Sequence, residues 1–310
     1  MKIYNSYHSS RRKKSAPSLF LTRKFLLYGA GIFLIVFFLY LTSKSFSPKN
    51  SEIISSRDIL RAEEVLRSDP TNVKLCLKLG QAYFNLARNA ISTQRANEYF
   101  DKTVEYLKRA QALDEEKMSQ EAYYQLGKAY FEKSGHLSGA YYYQEAKEAF
   151  LNAERKGFSN KESHTYLGHI YLKDKLYDEA IKEYKEALSF GQEDPAIYFN
   201  LGWTYKDSKK YKEAIPAFKK VLSFEGVDRE QFINSHLALG WLYYQENLIK
   251  ESIGSYKNAI ELVPDSVQAH YWLGKAYKKE GKLKEAKEEW EKCLKLDPGN
   301  KDVLKQLKNL

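Results

Sequence analysis

Six times this chain spells a Leu-Gly step followed, three residues after the glycine, by a tyrosine: LGQAY at 79–83, LGKAY at 126–130, LGHIY at 167–171, LGWTY at 201–205, LGWLY at 239–243 and LGKAY at 273–277. The glycines, Gly80, Gly127, Gly168, Gly202, Gly240 and Gly274, are spaced by 47, 41, 34, 38 and 34 residues. A unit of about 34 residues used in series marks a stacked helical array, in which no unit buries its apolar face alone. One such glycine could cradle a phosphate. None of the six is followed by Lys-Ser or Lys-Thr, and a phosphate loop has no use for six copies, so the phrase reads as a packing device.

Each later unit continues in register. Twelve residues after the glycine stands a small residue, Ala180, Ala214, Ser252 or Ala286. Four further on comes an aromatic, Tyr184, Phe218, Tyr256 or Trp290, and three more bring Ala187, Val221, Ala259 or Cys293. Steps of three and four place these on one helix face. Small residues then let two antiparallel helices approach while the aromatic fills the gap, and Pro264 or Pro298 closes the last two units.

This pattern resembles the tetratricopeptide repeat family over roughly residues 57–310. The resemblance implies an all-α, right-handed superhelical solenoid of about six helix-turn-helix repeats. Where the family's pattern carries its first aromatic, this chain holds Cys76, Tyr123, His164, Tyr198, His236 and His270. The expected units are a half-repeat cap at 57–70, repeats at about 73–118, 120–160, 161–194, 195–228, 233–266 and 267–300, and a polar cap at 301–310. The first two carry insertions between their helices, near 88–100 and around SGHLSGAYYYQ at 134–144. Leu107 and Ala110 align the second helix of repeat one. Pro216, inside the second helix of repeat four, is expected to kink it.

Ahead of the array the sequence changes character. Residues 25–43, FLLYGAGIFLIVFFLYLTS, contain no charge. As a helix they reach roughly 28 Å, about one hydrocarbon core. The 24-residue tail before the span, and the lack of an A-x-A step after it, point to an uncleaved signal anchor rather than a cleaved signal. Lys2, Arg11, Arg12, Lys13, Lys14, Arg23 and Lys24 make that tail +7 with no acid, whereas Lys44, Lys49 and Glu52 follow the span. The positive-inside bias puts residues 1–24 in the cytoplasm and the repeats on the extracytoplasmic side of the cytoplasmic membrane, periplasmic in a bacterium, as a single-pass protein. Residues 44–56 are a short polar linker.

Of the chain's net +10, +7 lies in the tail, leaving +3 over the remaining 286 residues with the charges interspersed. That describes a solvated surface, so no nucleic-acid partner is expected. Cys76 and Cys293 occupy packing slots at opposite ends of the array, too far apart for a disulfide. His164, His236 and His270 share one slot in different repeats, about 10 Å apart by helix spacing, whereas metal bonds need about 2 Å. No nucleophile–base pair, HExxH, CxxC or Gly-rich cofactor turn is present, so neither an enzyme nor a cofactor or metal is expected.

Function is then carried by a surface. The Leu-Gly and Tyr stripe of each first helix must be core. A second stripe, at offsets −6, −3, +1 and +4 from each glycine, is the one that similarity to the family places on the concave groove. The candidate groove residues are Tyr124, Lys128, Phe131, Phe199, Trp203, Trp241, Tyr244, Tyr271, Lys275 and Lys278: an aromatic floor with a basic end, suited to a peptide with apolar anchors and an acidic group. Some family members clamp a C-terminal carboxylate with Lys and Asn. Here Asn200 fits one clamp offset, but Thr165 and His169 fill the places that need Lys and Asn, so that clamp is not expected. The expected function is a membrane-anchored scaffold for a protein or peptide partner. The alternative is a domain that stacks a glycan or peptidoglycan strand on the aromatic groove.

Overall fold

A computed structural model of the protein describes residues 56–136, 141–191 and 193–310. The tail 1–24, the apolar span 25–43 and the linker up to residue 55 lie outside the described residues. Among the described residues no helix is long and apolar enough to cross a membrane.

The described residues form fourteen α-helices and no strand, an all-α solenoid. A single helix α1 (Ser56–Ser68) precedes six antiparallel pairs: α2 (Val73–Arg88) with α3 (Thr93–Leu113), α4 (Gln120–His136) with α5 (Tyr141–Arg155), and α6 (Lys161–Lys173) with α7 (Tyr177–Ser189). Then come α8 (Pro195–Asp207) with α9 (Tyr211–Leu222), α10 (Arg229–Gln245) with α11 (Ile249–Leu262), and α12 (Val267–Glu280) with α13 (Leu283–Leu296). A last helix α14 (Lys301–Lys308) ends the chain. The insertion in repeat one takes the form of extra helical turns, since α3 runs to 21 residues against 12 to 15 for the other second helices. Helix α10 starts at Arg229, four residues before the boundary read from the sequence. Pro216 lies exposed within α9, which continues through it to Leu222.

Start and stop signals are local. First helices carry side-chain caps: Asn72 accepts from the Leu75 amide, Asn160 and Ser163 form a reciprocal capping box, and Asp194 precedes Pro195 at the first helical position. Such caps satisfy amide donors that a helix leaves orphaned. The turn into the second helix is made differently. Lys175, Lys209, Asn247 and Gly281 adopt φ of 59°, 62°, 62° and 85°, the left-handed region. The next residue's amide then reaches back to a carbonyl, Leu176 to Tyr171, Lys210 to Tyr205 and Leu248 to Tyr243, each at 2.8 Å, and Lys282 to Tyr277 at 2.9 Å. The acceptor in every case is the tyrosine of the repeated phrase, so that residue both packs in the core and closes the helix.

Between the paired helices the glycine meets the aromatic of its own repeat. A Cβ built on Gly168 would stand 2.7 Å from Tyr184, on Gly127 2.8 Å from Phe150, and on Gly202 3.0 Å from Phe218. In repeat one Gly80 faces Leu107, the residue that aligns this unit in the sequence. The small slots of the last four repeats, Ala180, Ala214, Ser252 and Ala286, are fully buried. Ser252 is tolerated there because its hydroxyl donates to the Gly240 carbonyl at 2.7 Å. Trp290 likewise satisfies its indole N–H on the Tyr271 carbonyl at 3.0 Å. Cys76 and Cys293 are buried free thiols, and burial raises both above the usual thiol range.

Candidate functional site

The glycine stripe of each first helix turns inward, which leaves the neighbouring stripe half in solvent. Its chemistry changes along the array. In repeat two Tyr124 is buried, its ring 4.7 Å from Phe158 and 6.0 Å from Phe150, so it packs rather than offering an open face. Of the candidate groove aromatics it is the one that is covered. Tyr124 and Lys128 both donate to Glu162 of repeat three, and Tyr166 adds a third bond at 3.1 Å. Burial pushes the Glu162 carboxyl up, but the bonds from Lys128 and Tyr124 hold it below its ordinary value. Phe131 packs among Tyr143, Tyr166 and His169. Asn200 donates to His169 Nε2 at 3.3 Å, and burial keeps that imidazole's pKa low. The stripe in repeats two and three is therefore closed on itself.

Repeats four to six differ. Phe199, Trp203, Trp241, Tyr244 and Tyr271 are all half-buried. Trp203 packs edge-on to Phe199 at 5.9 Å and to the core ring Phe218 at 5.5 Å. Trp241, one repeat on, meets Tyr211 at 5.2 Å. The ammonium of Lys206 lies 4.9 Å from the Trp203 ring centre and 5.1 Å from that of Trp241, bridging consecutive repeats. Further along, Tyr244 and Tyr271 both pack against Trp272, at 5.7 and 5.6 Å. Lys275 stands over the same three rings, 4.3 Å from Trp272 and 5.7 Å from each tyrosine. Lys278 donates to the Asn309 carbonyl at 2.8 Å, and Lys279 to the Tyr244 carbonyl at 3.3 Å. Cation–π contacts of this kind are worth about 0.5–1 kcal/mol at exposed sites and about 2 where desolvated.

The structure thus groups Phe199, Trp203 and Trp241, and beside them Tyr244, Tyr271 and Lys275, turns Lys278 to the Asn309 carbonyl and the Trp290 ring, and places Tyr124, Lys128 and Phe131 in a self-satisfied network. Lys206, at the +4 offset from Gly202, lies on the stripe read from the sequence, whereas sequence reasoning misses Trp272 and Tyr211 as parts of the row. Trp272 stands two residues before its glycine, an offset that also holds Gln125, Tyr166 and Asn200 and that a stripe-by-stripe reading would have flagged.

The histidine slot is more polar than packing alone would require. His164 Nδ1 lies 2.7 Å from Glu183 and 3.5 Å from Glu154, with Ser159 Oγ 2.8 Å from Nε2. The hydrogen bond that His164 Nδ1 donates to the Glu183 carboxylate is the main cause that raises the His164 pKa. His270 repeats the arrangement with Glu289 at 2.5 Å and the Pro264 carbonyl at 2.8 Å. Both pairs are 19 residues apart. The ligand atoms of Glu154, His164 and Glu183 fall within 4.8 Å of one another, the one group among the described residues able to surround a metal ion. Within it His164 and Glu183 are already hydrogen-bonded to each other, as are His270 and Glu289, a pair with no second carboxylate in such a group among the described residues.

Comparison with known proteins agrees with this architecture. Models of the tetratricopeptide repeat match residues 195–226 and 267–300, and a TPR repeat model matches 168–208 and 240–281. No curated protein matches the chain. Among solved structures, the C-terminal part of a TPR repeat-containing protein from Cytophaga hutchinsonii is similar with a TM-score of 0.56 at 16% identity, over 81% of this chain and 93% of its own. YrrB, described as a TPR protein with an unusual peptide-binding site, gives 0.55 at 19% identity over 67% of this chain and 100% of its own. MamA AMB-1 gives 0.51 at 23% identity over 60% and 96%. At these identities the likeness is one of fold. Residues 168–226 and 240–300 of this chain are tetratricopeptide repeats.

Proposed function

We propose that the chain is a non-catalytic scaffold, anchored in the cytoplasmic membrane by residues 25–43, that holds a protein or peptide partner on the first-helix row of repeats four to six outside the cytoplasm. The observation that carries the reading is the Lys206 ammonium bridging Trp203 and Trp241, with Tyr244, Tyr271 and Lys275 continuing the row. Half-buried aromatics backed by core rings are rigid anchors of the kind that dominate interfaces. The peptide site described for YrrB, on a similar fold, supports the same use of such a surface. A glycan needs an open flat ring face for stacking, and lysine ammonium groups stand over the faces of Trp203, Trp241 and Trp272, which favours peptide over polysaccharide.

A photo-crosslinker at position 241, compared with one at the exposed Lys257 on a second helix, tests this in intact cells. A protein captured specifically from 241 supports the scaffold. Capture of cell-wall polysaccharide, or equal capture from both positions, argues against it.

A further inference from the structure

The cations of the row are not equivalent. Lys128 is paired with Glu162, Lys206 lies 3.5 Å from Asp207, and Lys278 and Lys279 donate to backbone carbonyls. Lys275 alone among these has neither a hydrogen-bond acceptor nor a carboxylate within ion-pair distance among the described residues. Asp302 acts on it only from further away. Its stem is half-buried, and Trp272, Tyr244 and Tyr271 crowd the ammonium. Aromatic faces stabilise the charge but accept none of its three N–H donors. Burial accordingly lowers the Lys275 pKa, the mark of a charge that has lost water without gaining an anion.

We infer that Lys275 is the carboxylate-binding position of the row and receives an Asp or Glu side chain of the partner, with flanking apolar residues on Tyr244, Tyr271 and Trp241. This rests on the groove reading above and gives it a chemical specificity. A phosphoryl group would call for an arginine fork or several converging donors, and only one free ammonium stands here. The C-terminal carboxylate clamp of some tetratricopeptide repeat proteins needs paired Asn and Lys donors. The only asparagine at such an offset, Asn200, is already bonded to His169 two repeats away from Lys275, and Ala238 is the residue at the same offset in the repeat before Lys275. An acidic side chain within a segment fits what is present.

The test uses the full-length chain in a mild non-ionic detergent and three fluorescent peptides with the same Leu, Phe and Trp anchors. One carries Glu between the anchors and one carries Gln, both N-acetylated and C-amidated. The third is the Gln peptide with a free C-terminus. A charge-assisted hydrogen bond should make the Glu peptide bind about tenfold more tightly than the Gln peptide. Lys275→Gln should erase that preference, so that the variant, checked as folded by its helical circular dichroism, binds the Glu and Gln peptides equally. Equal binding of the Glu and Gln peptides, or a preference that survives Lys275→Gln, overturns the inference. A free C-terminus that gains as much as Glu does overturns the side-chain source. Trp241→Ala separates the two levels: it should weaken both amidated peptides if the groove reading holds, and no effect on either would remove the groove itself.

Discussion

Gly240 and Tyr256 are matched across the helix pair of repeat five: a Cβ on Gly240 would stand 2.7 Å from Cε1 of the buried Tyr256 ring. A Cβ on Gly254, on the second helix of the same pair, would meet no atom of another element within 4 Å among the described residues. The two glycines therefore respond oppositely to one methyl group. Gly240→Ala should destabilise the protein by about 1–3 kcal/mol, because the ring cannot move out of the core. Gly254→Ala should stabilise it by about 0.5–1 kcal/mol, the ordinary gain in a helix interior. Denaturant unfolding of the two variants checks both signs.

Tyr184 and Tyr256 fill the same slot as Phe218 and Trp290, yet their hydroxyls are buried with no hydrogen-bond partner among the described residues. Burial drives both phenols well above their ordinary pKa. Removing an orphaned hydroxyl while keeping the ring costs no packing. Tyr184→Phe and Tyr256→Phe should be neutral or stabilising by up to about 1 kcal/mol. A large drop in Tm for either would mean that the hydroxyl has a partner.

The histidines make stability depend on pH in two directions. His164 is raised by Glu183, so its ion pair contributes fully below the unfolded value of about 6.5 and is lost as pH climbs through the higher folded value. His236 and His169 are lowered by burial, so their contribution is present above about 6.5 and is lost as pH falls. The Tm gap between the protein and His164→Asn should therefore shrink from pH 6 to pH 9. For His236→Phe the protein should lose ground to the variant below pH 6. Parallel pH profiles for all three proteins would contradict these assignments.

How far the sequence reads depends on what repeats. The glycine–aromatic pairs were legible because they sit at fixed offsets, and even in repeat one the match of Gly80 to Leu107 survives an insertion. The length of α3 was not, because extra residues can enter a loop or a helix with the same periodicity. The burial of Tyr124 was also hidden, since it depends on Phe158 folding back over the ring from the turn after α5. Lys206 between two tryptophans needs the stacking of two repeats, which no single unit records. The His164–Glu183 and His270–Glu289 pairs share a spacing of 19 residues and could have been read from it.

The proposed membrane anchor rests on the charge asymmetry around residues 25–43. A reporter that is active only outside the cytoplasm, fused after Leu310, should be active. Replacing the seven cations of the tail should weaken or invert that result. Activity from a cytoplasmic reporter alone would refute the topology.

The central claim is that the aromatic row of repeats four to six is an interface rather than core. Its most direct test is partner capture measured against stability for Trp203→Ala and Trp241→Ala. Both rings are half-buried, and Trp203 leans on Phe218, so each variant should lose about 1.5–3 kcal/mol, less than the 3–5 of a fully buried ring. Captured partner should fall about tenfold or more at temperatures where the variants are still folded. Variants that remain folded and capture the partner as well as the parent protein would contradict the account.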